Sequence, residues 1–169
     1  MPAVSGVPIN PAWLAGFIDG EGSVTLVWKW AENPERRATL VPAVGISNTR
    51  IDILREIQRE YGGSLQVLCR KPQHKPNGYL ALQYNRAYKI LRAVRPYLKL
   101  KTQQADIVLA YETMAKFQSS GRMRAEVQTT NHDGITRRGR RWINTIPETE
   151  ITKRREMRDT IRALNKRGA

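Results

Sequence analysis

The sequence predicts an α+β fold: a four-stranded antiparallel sheet with helices on one face, in the order αββαββα. Three observations predict it. Segments with apolar residues at three- and four-residue spacing alternate with pairs of shorter period-two runs. Asn33-Pro34 and Gly62-Gly63 fall at the expected boundaries. The length of 169 residues fits one domain with a real core, and the opening segment has no internal repeat.

Asn10 is a good N-cap and Pro11 suits the first helical position, so a helix starts there. Leu14, Phe17 and Ile18 are its expected core residues, and Gly22 is expected to let it stop. Ala12, Gly16, Asp19 and Gly20 share another face that has almost no bulk, so a second backbone can come close. Ser23 to Trp30, with alternating Val, Thr and Trp, reads as strand one, and 31–36 as a turn. Arg37 to Ser47 reads as strand two, where Pro42 requires a bulge or a nitrogen facing away from the neighbour. Arg50 to Glu60 is a helix. Ser64 to Lys71 and Tyr79 to Tyr84 are strands three and four, around a basic loop at 72–78. Helices follow at 86–94 and 102–117. The polar, basic stretch 119–144 reads as irregular. A charged helix with a thin stripe of Ile151, Met157, Ile161 and Leu164 closes the chain. The expected organisation is an N-terminal arm (1–9), the core (10–118), and a basic loop with a helix (119–169) belonging to the same domain.

The formal charge of +14 points to a polyanionic partner, nucleic acid first. The charge is spread through the predicted elements, which favours a folded binding surface over a disordered tail. A single cysteine, Cys69, excludes an internal disulfide framework, and His74 and His132 form no zinc pattern. No apolar stretch approaches a membrane span, so no membrane partner is expected. The N-terminus resembles neither a secretory signal nor an Arg-rich transit peptide. The expected location is therefore the compartment of synthesis: an organelle if organelle-encoded, otherwise prokaryotic cytoplasm.

The run Leu14-Ala-Gly-Phe-Ile-Asp-Gly-Glu-Gly22 carries the chemistry. A carboxylate at a helix C-terminus is electrostatically disfavoured, and a bound divalent cation reverses that sign. The run resembles the LAGLIDADG motif of homing endonucleases. The resemblance extends to Ile46-Ser-Asn-Thr49, to Pro96-Tyr-Leu-Lys-Leu-Lys-Thr-Gln-Gln-Ala105, and to the tail from Ile161 to Gly168. It implies a site-specific endonuclease that makes a metal-dependent double-strand break in a long pseudo-palindromic duplex DNA target. Such a cut leaves 3′ overhangs and promotes mobility of the enzyme's own intron. One motif per chain implies a homodimer, with Ala12, Gly16, Asp19 and Gly20 at the two-fold axis.

The resemblance also assigns residues. Glu21 is the expected metal ligand and the Gly20 carbonyl its companion; oxygen donors suit Mg²⁺, with Mn²⁺ as substitute. Lys101 matches an active-site lysine. Asn48 matches a position that places solvent near the metal, with Ser47 competing for it, and Arg50 matches a basic residue of the same pocket. Asp19 is expected to accept hydrogen bonds from the partner helix. Base readout is expected from Thr25, Val27 and Lys29 on strand one, from Arg37, Thr39, Val41, Ala43 and Gly45 on strand two, and from Gln66, Leu68 and Arg70 on strand three. Lys71, Lys75, Arg122, Arg124, Arg137, Arg138, Arg140 and Arg141 are expected phosphate contacts. The alternative is a non-cleaving member of the same fold, such as an RNA maturase with intron RNA as partner, or a transcription regulator.

Overall fold

The computed structural model describes residues 8–29, 39–69, 75–118, 122–130, 134, 136–144 and 148–167. The first helix, α1 (Pro11–Glu21), starts as its sequence demands: the Asn10 side chain accepts from the Ala12 and Trp13 N–H groups at 2.9 and 3.3 Å. It is followed by β1 (Gly22–Lys29), β2 (Thr39–Asn48), α2 (Ile51–Tyr61), β3 (Ser64–Leu68), β4 (Asn77–Gln83), α3 (Asn85–Val94) and α4 (Thr102–Gln118). The αββαββα order is therefore present. The strands form one antiparallel sheet in the order β1-β2-β4-β3.

Strand alternation divides the sheet into two faces. Val24, Leu26, Val44, Ile46, Leu80 and Leu82 are buried under the helices with Leu14, Ile18, Leu54, Ile57, Ile90, Leu91 and Val108. Each such side chain contributes about 1.5–3 kcal/mol on burial. Phe17, placed in the core by its sequence position, is only partly buried, and its ring stacks on Trp13 at 5.2 Å. The opposite face of the sheet mixes small and polar residues (Ser23, Thr25, Ala43, Ser47, Gln66) with exposed Val27, Leu68 and Tyr79.

The end of α1 differs in mechanism from the expectation. Gly22 is extended, at φ −95° and ψ 165°, and its N–H returns to the Ile18 carbonyl. Glycine is required there for space: a Cβ would come within 2.7 Å of the Ile18 carbonyl oxygen. At the end of α2, Gly62 and Gly63 have φ values of 77° and 109°, a left-handed pair that turns the chain into β3.

Pro42 needs no bulge. It pairs with Leu26 in regular register, and its carbonyl accepts from Tyr84 N–H at 3.1 Å. A residue's N and C=O point to the same side of a strand, so the proline nitrogen faces β4 where that strand has already ended.

The stretch expected to be irregular is a second, two-stranded sheet. β5 (Arg122–Thr130) pairs with β6 (Thr136–Asn144) in unbroken antiparallel register from Arg122↔Asn144 to Thr130↔Thr136. The final helix, α5 (Glu148–Arg167), lies along β1. Ile161 of α5 enters the core and Arg158 sits over the Trp28 ring. Asn165 Nδ2 donates to the Val24 carbonyl at 3.2 Å, covering the outer edge of β1. Arg154, at the stripe's spacing, is also buried; it pairs with Glu150 at 3.3 Å and lies over the Tyr111 ring. The Tyr111 hydroxyl donates to the Leu40 carbonyl at 3.1 Å, and burial pushes its pKa up. No described helix is long and apolar enough to cross a membrane.

Candidate nucleic-acid interface and acidic helix end

Glu21 is the last residue of α1 and is exposed. No basic residue stands in the last turn of the helix, so the terminal carbonyls and this carboxylate make a negative end. The Ile18 carbonyl is occupied by Gly22 N–H and the Asp19 carbonyl by Lys101 Nζ. The Gly20 carbonyl and the Glu21 carboxylate are the next oxygens along the chain. Lys101 is thus brought to the helix end that carries Glu21, whereas the Lys99 side chain is exposed.

The Asp19 carboxylate is buried, and both of its oxygens accept hydrogen bonds within its own chain. Oδ2 accepts from Lys99 N–H at 2.7 Å and Leu100 N–H at 3.2 Å, and Oδ1 accepts from Lys101 N–H at 2.9 Å. These are the backbone donors of the turn that leads into α4, so Asp19 caps that entry from 80 residues away. Lys101 Nζ returns to the Asp19 carbonyl, closing a reciprocal link. The remaining small residues of α1 do form a bare face. Ala12, Gly16 and Gly20 are exposed, and a Cβ on either glycine would meet nothing within 4 Å. Trp13, 49 % exposed, flanks that face and was not among the residues expected there.

Asn48 and Arg50 are engaged at the β2–α2 corner. Asn48 Oδ1 accepts from Arg50 N–H at 2.8 Å, and the Arg50 guanidinium holds Asp52 in a two-point pair at 3.0 and 2.7 Å. That pair pulls the Asp52 carboxyl down to about 2. Gly22 pairs with Ile46, so one further step of the register sets Glu21 opposite Ser47. Ser47 lies on the open face by alternation and Asn48 on the covered one. The register therefore favours Ser47 as the strand-two residue beside the acidic end.

On the open face, Val27 is 38 % exposed and Thr25 and Ala43 are half-buried. Val41 departs from the expectation: it is 1 % exposed and offers no surface for a base. Gln66 and Leu68 of β3 are exposed, as is Lys75. Arg37, Arg70 and Lys71 lie outside the described residues. So do the side chains of Lys29, Thr39, Arg122, Arg124, Arg137, Arg138, Arg140 and Arg141.

Strand four supplies open-face residues that sequence reasoning missed. β4 is an inner strand, so Tyr79, Ala81 and Gln83 stand at mid-sheet. The register gives transverse rows: Thr25, Ala43 and Gln83; Ser23, Gly45, Ala81 and Ser64; Ser47, Tyr79 and Gln66. Tyr79 lies across two rows. Its hydroxyl would be 2.5 Å from a Cβ at Gly45, with Ser23 Oγ 3.0 Å from the same point. Tyr79 is 42 % exposed.

Among the described residues, no group of three or more His, Cys, Asp or Glu side chains converges to hold a metal. One chain offers Glu21 and a neighbouring carbonyl, an oxygen donor set that suits Mg²⁺ but is incomplete alone.

A basic α+β chain with an open antiparallel sheet and an acidic helix end at one side is thus defined. It has the fold of the LAGLIDADG homing endonucleases. No family model and no curated protein sequence matches the chain; the similarity lies among solved structures. The homing endonuclease I-CvuI, in complex with the I-CreI target in 2 mM Mg with the DNA not cleaved, is 20 % identical. It superposes with a TM-score of 0.63 over 91 % of this chain and 80 % of that one. The group I intron-encoded homing endonuclease I-CeuI complexed with DNA is 13 % identical, with a TM-score of 0.55 over 70 % of this chain and 60 % of that one. The LAGLIDADG meganuclease I-CpaMI bound to uncleaved DNA is 18 % identical, with a TM-score of 0.52 over 66 % of this chain and 38 % of that one.

Proposed function

We infer that the protein is a site-specific, homodimeric DNA endonuclease that hydrolyses one phosphodiester in each strand of a pseudo-palindromic duplex. The observation that carries this reading is that Lys101 is bonded to the Asp19 carbonyl, in the helix turn that ends at Glu21, beside an open sheet face. Two chains related by a two-fold axis through the bare α1 face bring two Glu21 carboxylates together. Glu21 and the Gly20 carbonyl would hold a divalent cation, Mg²⁺ or Mn²⁺, which would supply water activation and charge neutralisation at the leaving oxygen. Lys101, fixed by the Asp19 link, places a positive charge beside the scissile phosphate. Sheet residues read base edges in the major groove, which is wide enough for a two-stranded ribbon. Arginines and lysines add phosphate affinity without sequence information. Intron mobility follows when the target is the intronless allele.

The test is selection from a randomised duplex library with Mg²⁺, followed by sequencing of the ends produced. Double-strand cuts with short 3′ overhangs, lost on chelation, are expected. Tight duplex binding with no cut in Mg²⁺ or Mn²⁺ would replace this reading with the non-cleaving binding protein.

A further inference from the structure

The β5–β6 hairpin carries six arginines in its two strands, at 122, 124, 137, 138, 140 and 141, against one acid, Glu126. Its position in the fold is fixed by the helices on either side. α4 starts at the Asp19 cap, beside Glu21, and passes Leu40 at Tyr111. α5 runs the opposite way: Arg154 lies on Tyr111, Arg158 on Trp28, and Asn165 on the Val24 carbonyl. Trp28 pairs with Leu40 near the far end of β1. The end of α4 and the start of α5 therefore meet at the end of the sheet opposite Glu21, and the hairpin springs from there.

We propose that this hairpin is a DNA-binding arm that extends the protein's grip outward along the duplex, beyond the base pairs covered by the four-stranded sheet. The inference rests on the proposed function, in which Glu21 marks the cleavage point. β1 has eight residues, so its far end is about 26 Å from Glu21 at roughly 3.3 Å per residue. That distance is about eight base pairs at roughly 3.4 Å each. Each hairpin strand has nine residues, a further reach of about 30 Å. The partner is flanking duplex DNA, recognised through its phosphates. The arginine content matches that chemistry, and a two-stranded ribbon has the width a major groove admits. By register, Arg122, Arg124, Arg138 and Arg140 fall on one face of the ribbon and Arg137 and Arg141 on the other.

The experiment compares three full-length proteins on a 60-base-pair duplex carrying the selected site, with Ca²⁺ present. They are wild type, an Arg137→Gln/Arg138→Gln/Arg140→Gln/Arg141→Gln variant, and a chain with residues 122–144 replaced by a short Gly-Ser linker. Hydroxyl-radical footprints and the salt dependence of binding are read, with a thermal melt as a check on folding. Protection is expected to shrink from the outer ends in both variants while the central base pairs stay protected. The slope of log affinity against log salt is expected to fall by about 0.9 for each phosphate that the variant no longer neutralises. A footprint of unchanged width with an unchanged slope overturns the arm. So does a uniform loss of protection in a variant that melts like wild type. Absence of duplex binding by wild type overturns the proposed function beneath it instead.

Discussion

Asp19 and Lys101 hold each other: the Asp19 carboxylate caps the backbone at 99–101, and Lys101 Nζ donates to the Asp19 carbonyl. The two halves of this link have separable consequences. Asp19→Ala leaves three part-buried backbone donors without their acceptor and is expected to cost about 1–3 kcal/mol of stability, read from the urea midpoint. Lys101→Met leaves the cap intact and is expected to cost no more than about 1.5 kcal/mol. It is also expected to lower the cleavage rate at least about 100-fold. Equal destabilisation by the two would show that the cap is not where the energy lies.

Glu21→Gln keeps the shape of the helix end and removes its charge. Cleavage is expected to vanish with DNA binding retained. Stability is expected to rise by about 0.3–1 kcal/mol, because a negative group leaves a helix C-terminus. Cleavage at the wild-type rate would take Glu21 out of the reaction.

Gly16→Arg adds bulk where a Cβ meets nothing within 4 Å in the single chain. The variant is expected to fold normally and to sediment as a monomer under conditions where wild type is a dimer. A mutant dimer of wild-type stability would place the association surface elsewhere on the molecule.

Gly45→Val drives the Tyr79 ring off the centre of the open face, since the added Cβ would fall 2.5 Å from its hydroxyl. The ring end can move, so the fold is expected to persist. Base preference is expected to change by about 1–3 kcal/mol at the positions this row touches. Tyr79→Ala is expected to change the same positions. A selection profile identical to wild type for both variants would remove the pair from readout.

The Arg50–Asp52 pair sets a pH dependence. The folded pKa of Asp52 is depressed to about 2 from 3.8. Its contribution is therefore present above the higher value and lost as pH falls through the lower. Asp52→Asn is expected to flatten this acid limb of the melting profile, by a small and salt-sensitive amount because the pair is exposed. A limb of wild-type steepness in the variant would assign it to other carboxylates.

The main helices and the four strands were legible in the sequence because caps, periodicity and turn residues agree locally. α1 is the clearest case, with Asn10, Pro11 and the small-residue spacing all pointing one way. The role of Asp19 was not legible, since its donors lie 80 residues on and only the tertiary fold joins them. Tyr79 was overlooked for a related reason: the order β1-β2-β4-β3 makes β4 an inner strand, and order is a property of the sheet. The β5–β6 hairpin was missed because Arg, Gln and Thr fill its alternation, leaving little apolar pattern to read. Choosing between Ser47 and Asn48 required the pairing of Gly22 with Ile46, which no local spacing supplies.

The amide of Asn165 on the Val24 carbonyl has a consequence for handling the protein. A chain clipped within its last helix would bare a row of main-chain groups able to recruit a strand from another molecule. Proteolytic trimming of the C-terminus should thus turn a clear solution cloudy well before the core itself unravels.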